Sequence, residues 1–332
     1  MQNSTRVLYN AYLNQVATLN GLKVEDLSKK FAVDPTVSQK LETRIQESSE
    51  FLQKINIFGV TEQEGEKVGL GVSGTIAGTT DTTKNDRKTR DMSALDARRY
   101  RAEQTNFDTH TRYAQLDAWA KFQDFQTRMR DSIIRRQALD RICIGFNGVK
   151  RSLDSDRAAN PLLQDVNKGW LQQYRETAPA RVTKDTQVGA GKPYANLDAM
   201  VFDMVHSLID PWHQEDPNMV VICGRQLLTA KYFPTLNAAD NQKNTERVAA
   251  DVILSSQRIG GLPAVAVPYF PAKALMVTSL KNLSIYWQEG TRRRTIVENA
   301  KRDQIENYES VNEGYVVEDL GAGCLAENIT LS

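Results

Sequence analysis

The glycines of Gly69-Leu70-Gly71-Val72-Ser73-Gly74 have the G-x-G-x-x-G spacing with which a turn brings backbone amides close to a pyrophosphate. That chemistry needs a strand before the turn and a helix N-terminus after it, so that the helix dipole meets the phosphates. Here Thr-Ile-Ala-Gly-Thr-Thr-Asp-Thr-Thr follows, which favours no helix, and the segment reads as a flexible loop. The histidines, His110, His206 and His213, raise the possibility of a metal site. His206 and His213 flank Asp210, but Pro211 interrupts the helix that would bring them together, so they read as structural side chains. Arg292, Arg293 and Arg294 form a basic triplet that could touch phosphate; a run of this kind is more often a solvated edge or an ion-pair donor to a neighbouring subunit. No G-x-S-x-G, P-loop or H-E-x-x-H occurs, and no carboxylate pair stands in a context that singles out acid–base work. The residues therefore give no catalytic site, no metal site and no cofactor, and no enzyme is expected.

The elements that would carry any site are more informative. From 106 to 147 the chain has no proline and a single glycine near its end, with apolar residues at Leu116, Trp119, Phe122, Phe125, Met129, Ile133, Ala138, Ile142 and Phe146. This is helical spacing and predicts one long helix over about 112–146, on the order of 50 Å in length. Trp119, Phe122 and Phe125 could be imagined as a base-stacking stripe, but their spacing makes them core or interface residues. A second stripe, Lys121, Asp124, Arg128, Asp131 and Arg135, alternates in sign as a solvated or partner-facing edge does. A helix of this length acts as a spine for something flat and extended.

Before the spine, Leu8, Tyr12, Val16 and Leu19 predict a short amphipathic helix, tethered by the basic joint Ser28-Lys29-Lys30-Phe31. Such a helix is marginal alone and needs a partner surface. A second helical run over 35–57 has sparse apolar positions and suits an arm. Residues 59–105 are rich in Gly, Thr and charge; two strands, about 66–72 and 97–106, would be joined by a polar tip at 79–91. A two-stranded excursion of that kind cannot bury its own surface. Its basic residues include Lys84, Arg87, Lys88, Arg90, Arg98, Arg99 and Arg101. After the spine, helices are expected near 165–175, 197–211 and 225–232. Strands are expected near 219–223, 264–267, 275–278, 283–287, 294–298 and 315–319, with a helical or extended run at 246–255. The interleaving lacks a regular βαβ rhythm, so the fold class is α+β.

The 332 residues carry a net charge of +1, which supplies no field to attract nucleic acid or an anionic membrane. Cys143, Cys223 and Cys324 lie far apart among apolar neighbours and read as buried thiols of a reducing cytoplasm, not as a disulfide framework. There is no apolar run long enough for a membrane span and no convincing export signal.

The order of arm, polar excursion, spine helix and α+β domain resembles the HK97-like fold of tailed-phage major capsid proteins. The blocks NAYLNQVATLNG, QESSEFLQKINI, DAWAKFQDFQTRMRDSIIRRQALDRICIGFNGVKR, NPLLQDVNKGWLQQYR, EDPNMVVICGRQLLTAKYFP and RIGGLPAVAVPYFPA are similar to those of the P2-like major capsid proteins, and the likeness runs from about 6 to 328. The resemblance implies an N-terminal pro-segment at 1–31, an N-arm at 32–58, an extended loop (E-loop) at 59–105 and a peripheral domain at 106–164 that holds the spine. It further implies an axial domain at 165–290 and a return to the peripheral domain at 291–332. It implies hexamers and pentamers of this chain forming an icosahedral head around packaged double-stranded DNA, with an internal scaffold–protease and a portal protein as partners and no membrane. The pro-segment would be cut at Phe31–Ala32 during assembly in the host bacterial cytoplasm. The spine's charged edge (Lys121, Asp124, Arg128, Asp131, Arg135) and Arg292, Arg293 and Arg294 are the expected inter-subunit contacts. The alternative within the same fold is an encapsulin-type shell that encloses protein.

Overall fold

The computed structural model describes residues 1–66, 77–89, 99–122, 124–238 and 257–331. The G-x-G-x-x-G run at 69–74 and the expected element at 246–255 lie outside the described residues. The first 63 residues carry α1 (Asn3–Leu19), β1 (Phe31–Ala32), α2 (Pro35–Glu47), α3 (Glu50–Lys54) and β2 (Asn56–Val60). β3 (Glu64–Glu66) and β4 (Arg99–Arg101) pair with each other, and β5 (Glu103–Asn106), β6 (Thr109–Arg112), α4 (Tyr113–Trp119) and α5 (Phe125–Asn147) follow. Next come α6 (Trp170–Thr177), β7 (Val182–Lys184), β8 (Gln187–Val188), α7 (Leu197–Leu208), β9 (Met219–Cys223) and α8 (Arg225–Ala238). The chain closes with β10 (Arg258–Ile259), β11 (Leu262–Val265), β12 (Leu275–Ser279), β13 (Leu283–Gln288), β14 (Arg293–Asn299), β15 (Gln304–Val317), β16 (Gly323–Glu327) and β17 (Thr330–Leu331). Two compact units result: residues 1–63, 101–169 and 284–315 form the first, and 64–100, 170–283 and 316–332 the second. Residues 316–332 group with the second unit and 284–315 with the first.

In the first unit, Asp34 starts α2 by accepting hydrogen bonds from the amides of Thr36 (2.8 Å) and Val37 (3.4 Å), with Pro35 in the first turn. A side-chain cap satisfies amides that the helix leaves orphaned, and proline there loses no bond. The single helix expected over 112–146 is two. Ala120 N–H closes α4 on Leu116 O (2.8 Å), and Arg128 N–H opens the next ladder on Asp124 O (2.9 Å). The reason lies in tertiary packing. Leu116 and Met129 belong to one buried cluster. On a straight helix, residues 13 apart would point about 220° from each other, so the chain must turn to place both on the same side. Nothing in the apolar spacing announces that turn. The sheet of this unit runs β1-β14-β15-β13-β2, with β5 and β6 also on β15. The strand expected at 315–319 is the end of β15, which is 14 residues long and pairs antiparallel with β14 from Arg293↔Ser310 to Asn299↔Gln304. At the end of α5, Gly148 and Gly169 let the returning loop touch the helix. A Cβ at Gly169 would lie 2.3 Å from Gly145 O and 2.4 Å from Ile144 O.

The second unit is built on a six-stranded sheet, β10-β11-β9-β12-β16-β7. β9 and β12 are apolar and almost wholly buried, and α7 packs Leu197, Met200, Val201 and Met204 against them in the same core as Leu227, Val277 and Cys324. Asn196 caps α7 through the amide of Ala199 (2.8 Å). β16 is a strand the sequence reading does not name. Cys143 in the first unit and Cys223 and Cys324 in the second are all buried and free. Burial pushes their thiols up, to about 11, about 12 and about 12 respectively. Among the described residues no helix is long and apolar enough to cross a membrane.

Candidate assembly site: the amino-terminal seat and the buried ion network

The amino-terminal helix has found the partner surface it needs within its own unit. Tyr9, Val16, Ala17, Leu27, Phe31 and Val33 are buried together with Leu116, Met129, Ile296 and Ile305. Full burial of one large apolar side chain contributes about 1.5–3 kcal/mol, so a helix too short to persist alone becomes stable here. Polar contacts fix its register. The Arg6 guanidinium donates to both carboxylate oxygens of Glu298, each at 2.6 Å, and Tyr113 Oη donates to Glu298 Oε1 at 2.6 Å. The hydrogen bond from Arg6 holds the Glu298 carboxyl below its ordinary value. Arg294 donates from Nη2 to Tyr12 Oη (2.9 Å) and from Nε to Asn307 Oδ1 (2.6 Å). Burial pushes the Tyr9 hydroxyl well up, so it stays protonated. Phe31 and Ala32, the expected scissile pair, form β1 and stand opposite Arg294 and Arg293 of β14. Phe31 is buried, Ala32 is exposed, and the Lys29 and Lys30 joint before them is exposed.

Next to this seat lies a charged network that the sequence reading misses. Arg141 of α5 forks onto Glu42 of α2, Nη1–Oε2 2.7 Å and Nη2–Oε1 3.0 Å, and meets Glu313 Oε1 of β15 from Nε (2.9 Å) and Nη2 (2.5 Å). Arg292 joins Glu42 to Glu309. All five side chains are buried. Burial opposes charge on Glu42, but two guanidiniums outweigh it and hold the carboxyl below its ordinary value. Burial pushes Glu313 up, and its Oε2 has no hydrogen-bond partner. Three carboxyls share two guanidiniums, and Glu313 moves in the opposite direction from Glu42. The network ties arm, spine and central strand into one body. No periodicity could have found Glu42 and Glu313, because they meet only in three dimensions.

Lys121, Asp124, Arg128, Asp131 and Arg135 are all exposed. Arg128 pairs with Asp124 at 2.7 Å and lies 4.1 Å over the Phe122 ring, and Asp131 pairs with Arg130 at 2.9 Å. The arginine triplet is not a surface patch. Arg292 is buried and pairs through both Nη atoms within its own chain, Arg294 holds Tyr12 and Asn307, and half-buried Arg293 turns to the Gly290 carbonyl at 2.5 Å. Alternation along β14 and the neighbouring carboxylates take up a charge run that looks solvated in one dimension. His206 Nδ1 sits 2.8 Å from Phe202 O, and His213 Nε2 sits 3.0 Å from Asp319 Oδ2. No group of three or more metal-ligating side chains converges among the described residues.

Comparison with known proteins places this architecture. The family of phage major capsid proteins of the P2 type matches residues 8–329. The capsid protein of Escherichia phage P2 is 54% identical, over 99% of this chain and 95% of the relative, and the major capsid protein of Serratia phage KSP20 is 41% identical over 100% and 98%. A chain of the solved procapsid of satellite phage P4, which includes the size determination (Sid) protein, superposes with a TM-score of 0.83 at 51% identity, covering 100% of this chain and 99% of that one. The capsid of an empty GTA particle, at 15% identity and a TM-score of 0.50 over 85% and 90% of the two chains, shares the fold alone. The chain belongs to the P2 family of phage major capsid proteins and has their HK97-like α+β fold.

Proposed function

We propose that this chain is the shell subunit of a phage head, assembling as hexamers and pentamers into an icosahedral capsid around packaged double-stranded DNA. Family likeness across residues 8–329 carries this reading. The exposed tip at 77–89 supports it, since a segment that buries so little in its own unit is suited to a neighbour. The exposed edge at Lys121, Asp124, Arg128, Asp131 and Arg135 is assigned to inter-subunit registry, together with Arg293; Arg292 and Arg294 act inside the subunit. Repeated modest contacts of this kind stabilise a closed lattice while each remains reversible during growth. Residues 1–31 act as a pro-segment cut from the rest of the chain by an internal scaffold–protease, and a portal protein occupies one vertex. Assembly proceeds in the host bacterial cytoplasm.

Negative-stain electron microscopy of the chain co-expressed with its scaffold–protease, with intact mass on the same particles, tests this. Angular shells of a chain shortened by 31 residues are expected. Small soluble oligomers alone would overturn the shell reading, and shells that purify with protein cargo and no DNA would favour a compartment of the encapsulin type.

A further inference from the structure

We propose that the seat formed by α4, α5, β14 and β15 is a peptide-binding groove that retains residues 1–31 as a separate, docked chain after the backbone is cut. The inference rests on the pro-segment reading for its biological meaning, and its geometry is independent of that reading. The contacts that hold the segment do not pass through Phe31–Ala32. Arg6 meets Glu298 and Tyr12 meets Arg294, and Tyr9, Val16 and Leu27 are buried against Leu116, Met129, Ile296 and Ile305. Every partner on the body side lies downstream of the cut.

This is recognition of a helix in a groove: an amphipathic helix lays its apolar stripe into a preformed cleft, and a charge-assisted fork sets its register. Cutting removes the tether, and with it the effective concentration the tether supplies, but no contact. Departure would leave Arg294 without the Tyr12 hydroxyl and Glu298 without Arg6, and would bare the apolar floor to water. A cavity of about 260 Å³ beside Tyr12, Val16 and Leu19, facing Val37 and Arg130, marks the loosely filled flank of the seat. Retention is therefore centred on the Arg6 end and on Leu27. Scission and release are two steps, and release needs a change in the seat itself.

The test uses the full chain with a site-specific protease sequence inserted between Lys29 and Lys30, both exposed. After cutting, size-exclusion chromatography and intact mass determine whether the segment travels with the body, and circular dichroism reports whether the body is folded. Co-elution is expected, with Arg6→Ala, a change on the segment that leaves the body's sequence intact, speeding dissociation about two- to fivefold, as suits a partly exposed pair. Loss of the cut wild-type segment in the first column pass, or precipitation of the body on cutting, overturns the proposal, as does an Arg6→Ala segment that leaves at the wild-type rate. Because the inserted site needs no scaffold–protease, failure of shell formation leaves this result intact.

Discussion

Arg141 and Glu42 meet through both ends of the guanidinium, at 2.7 and 3.0 Å, with Arg141 fully buried and Glu42 5% exposed at its side chain. The pair joins the spine to the arm across 99 residues of sequence. Removing one partner of such a pair strands the other charge in a place water cannot reach. Arg141→Met is expected to destabilise the subunit by about 3–5 kcal/mol, because it leaves Glu313 without its guanidinium and Glu42 with Arg292 alone. Adding Glu42→Gln to Arg141→Met should recover part of the loss. Denaturant unfolding of the two variants and the wild type measures both outcomes.

Glu313 and Glu42 give the same network opposite responses to pH. Glu313 is raised in the folded chain above its ordinary value of 4.5, so its contribution is full below that value and is lost as pH rises through the folded one. Glu42 is lowered, so its contribution is present above 4.5 and is lost as pH falls through its folded value. Arg141, Arg292 and Glu42 are the charged groups that face Glu313. In Glu313→Gln the decline that begins above 4.5 should disappear while the acid limb remains. Unfolding free energy measured across a pH series decides it, and an unchanged slope above 4.5 would count against an upward shift of Glu313.

Arg128→Glu reverses one charge on the exposed edge and breaks its pairing with Asp124. The melting temperature of the isolated subunit should move little, as exposed pairs of this spacing contribute little. The yield of closed shells by electron microscopy should fall several-fold. Normal shell yield would remove this edge from the list of contacts.

Gly169→Ala tests the close passage at the end of α5. The added Cβ would meet two backbone carbonyls of that helix at 2.3 and 2.4 Å, and backbone cannot yield as a flexible side chain does. A cost of about 1–3 kcal/mol is expected, read as a lowered thermal midpoint.

What the sequence shows plainly is whatever repeats. Leu197, Met200, Val201 and Met204 fall at helical spacing and build α7, and the apolar run from Met219 to Cys223 builds β9. β15 is less plain because Gln304, Asn307, Glu309, Ser310 and Glu313 are buried polar residues. A rule that equates burial with apolar character sees only its end at Tyr315. The turn between α4 and α5 is hidden for another reason: the local run favours a continuous helix, and the demand that Leu116 and Met129 share a cluster overrides it. Arg292 shows the same limit at the candidate site, since its partners Glu42 and Glu309 come from distant parts of the chain.

The three inaccessible cysteines have a practical corollary. With Cys143, Cys223 and Cys324 buried and their thiols shifted towards the neutral form, the subunit presents no native handle to a maleimide. One cysteine placed on the exposed tip, at Thr82 for instance, would then carry a fluorophore at a single defined position on the free subunit and report its burial on assembly.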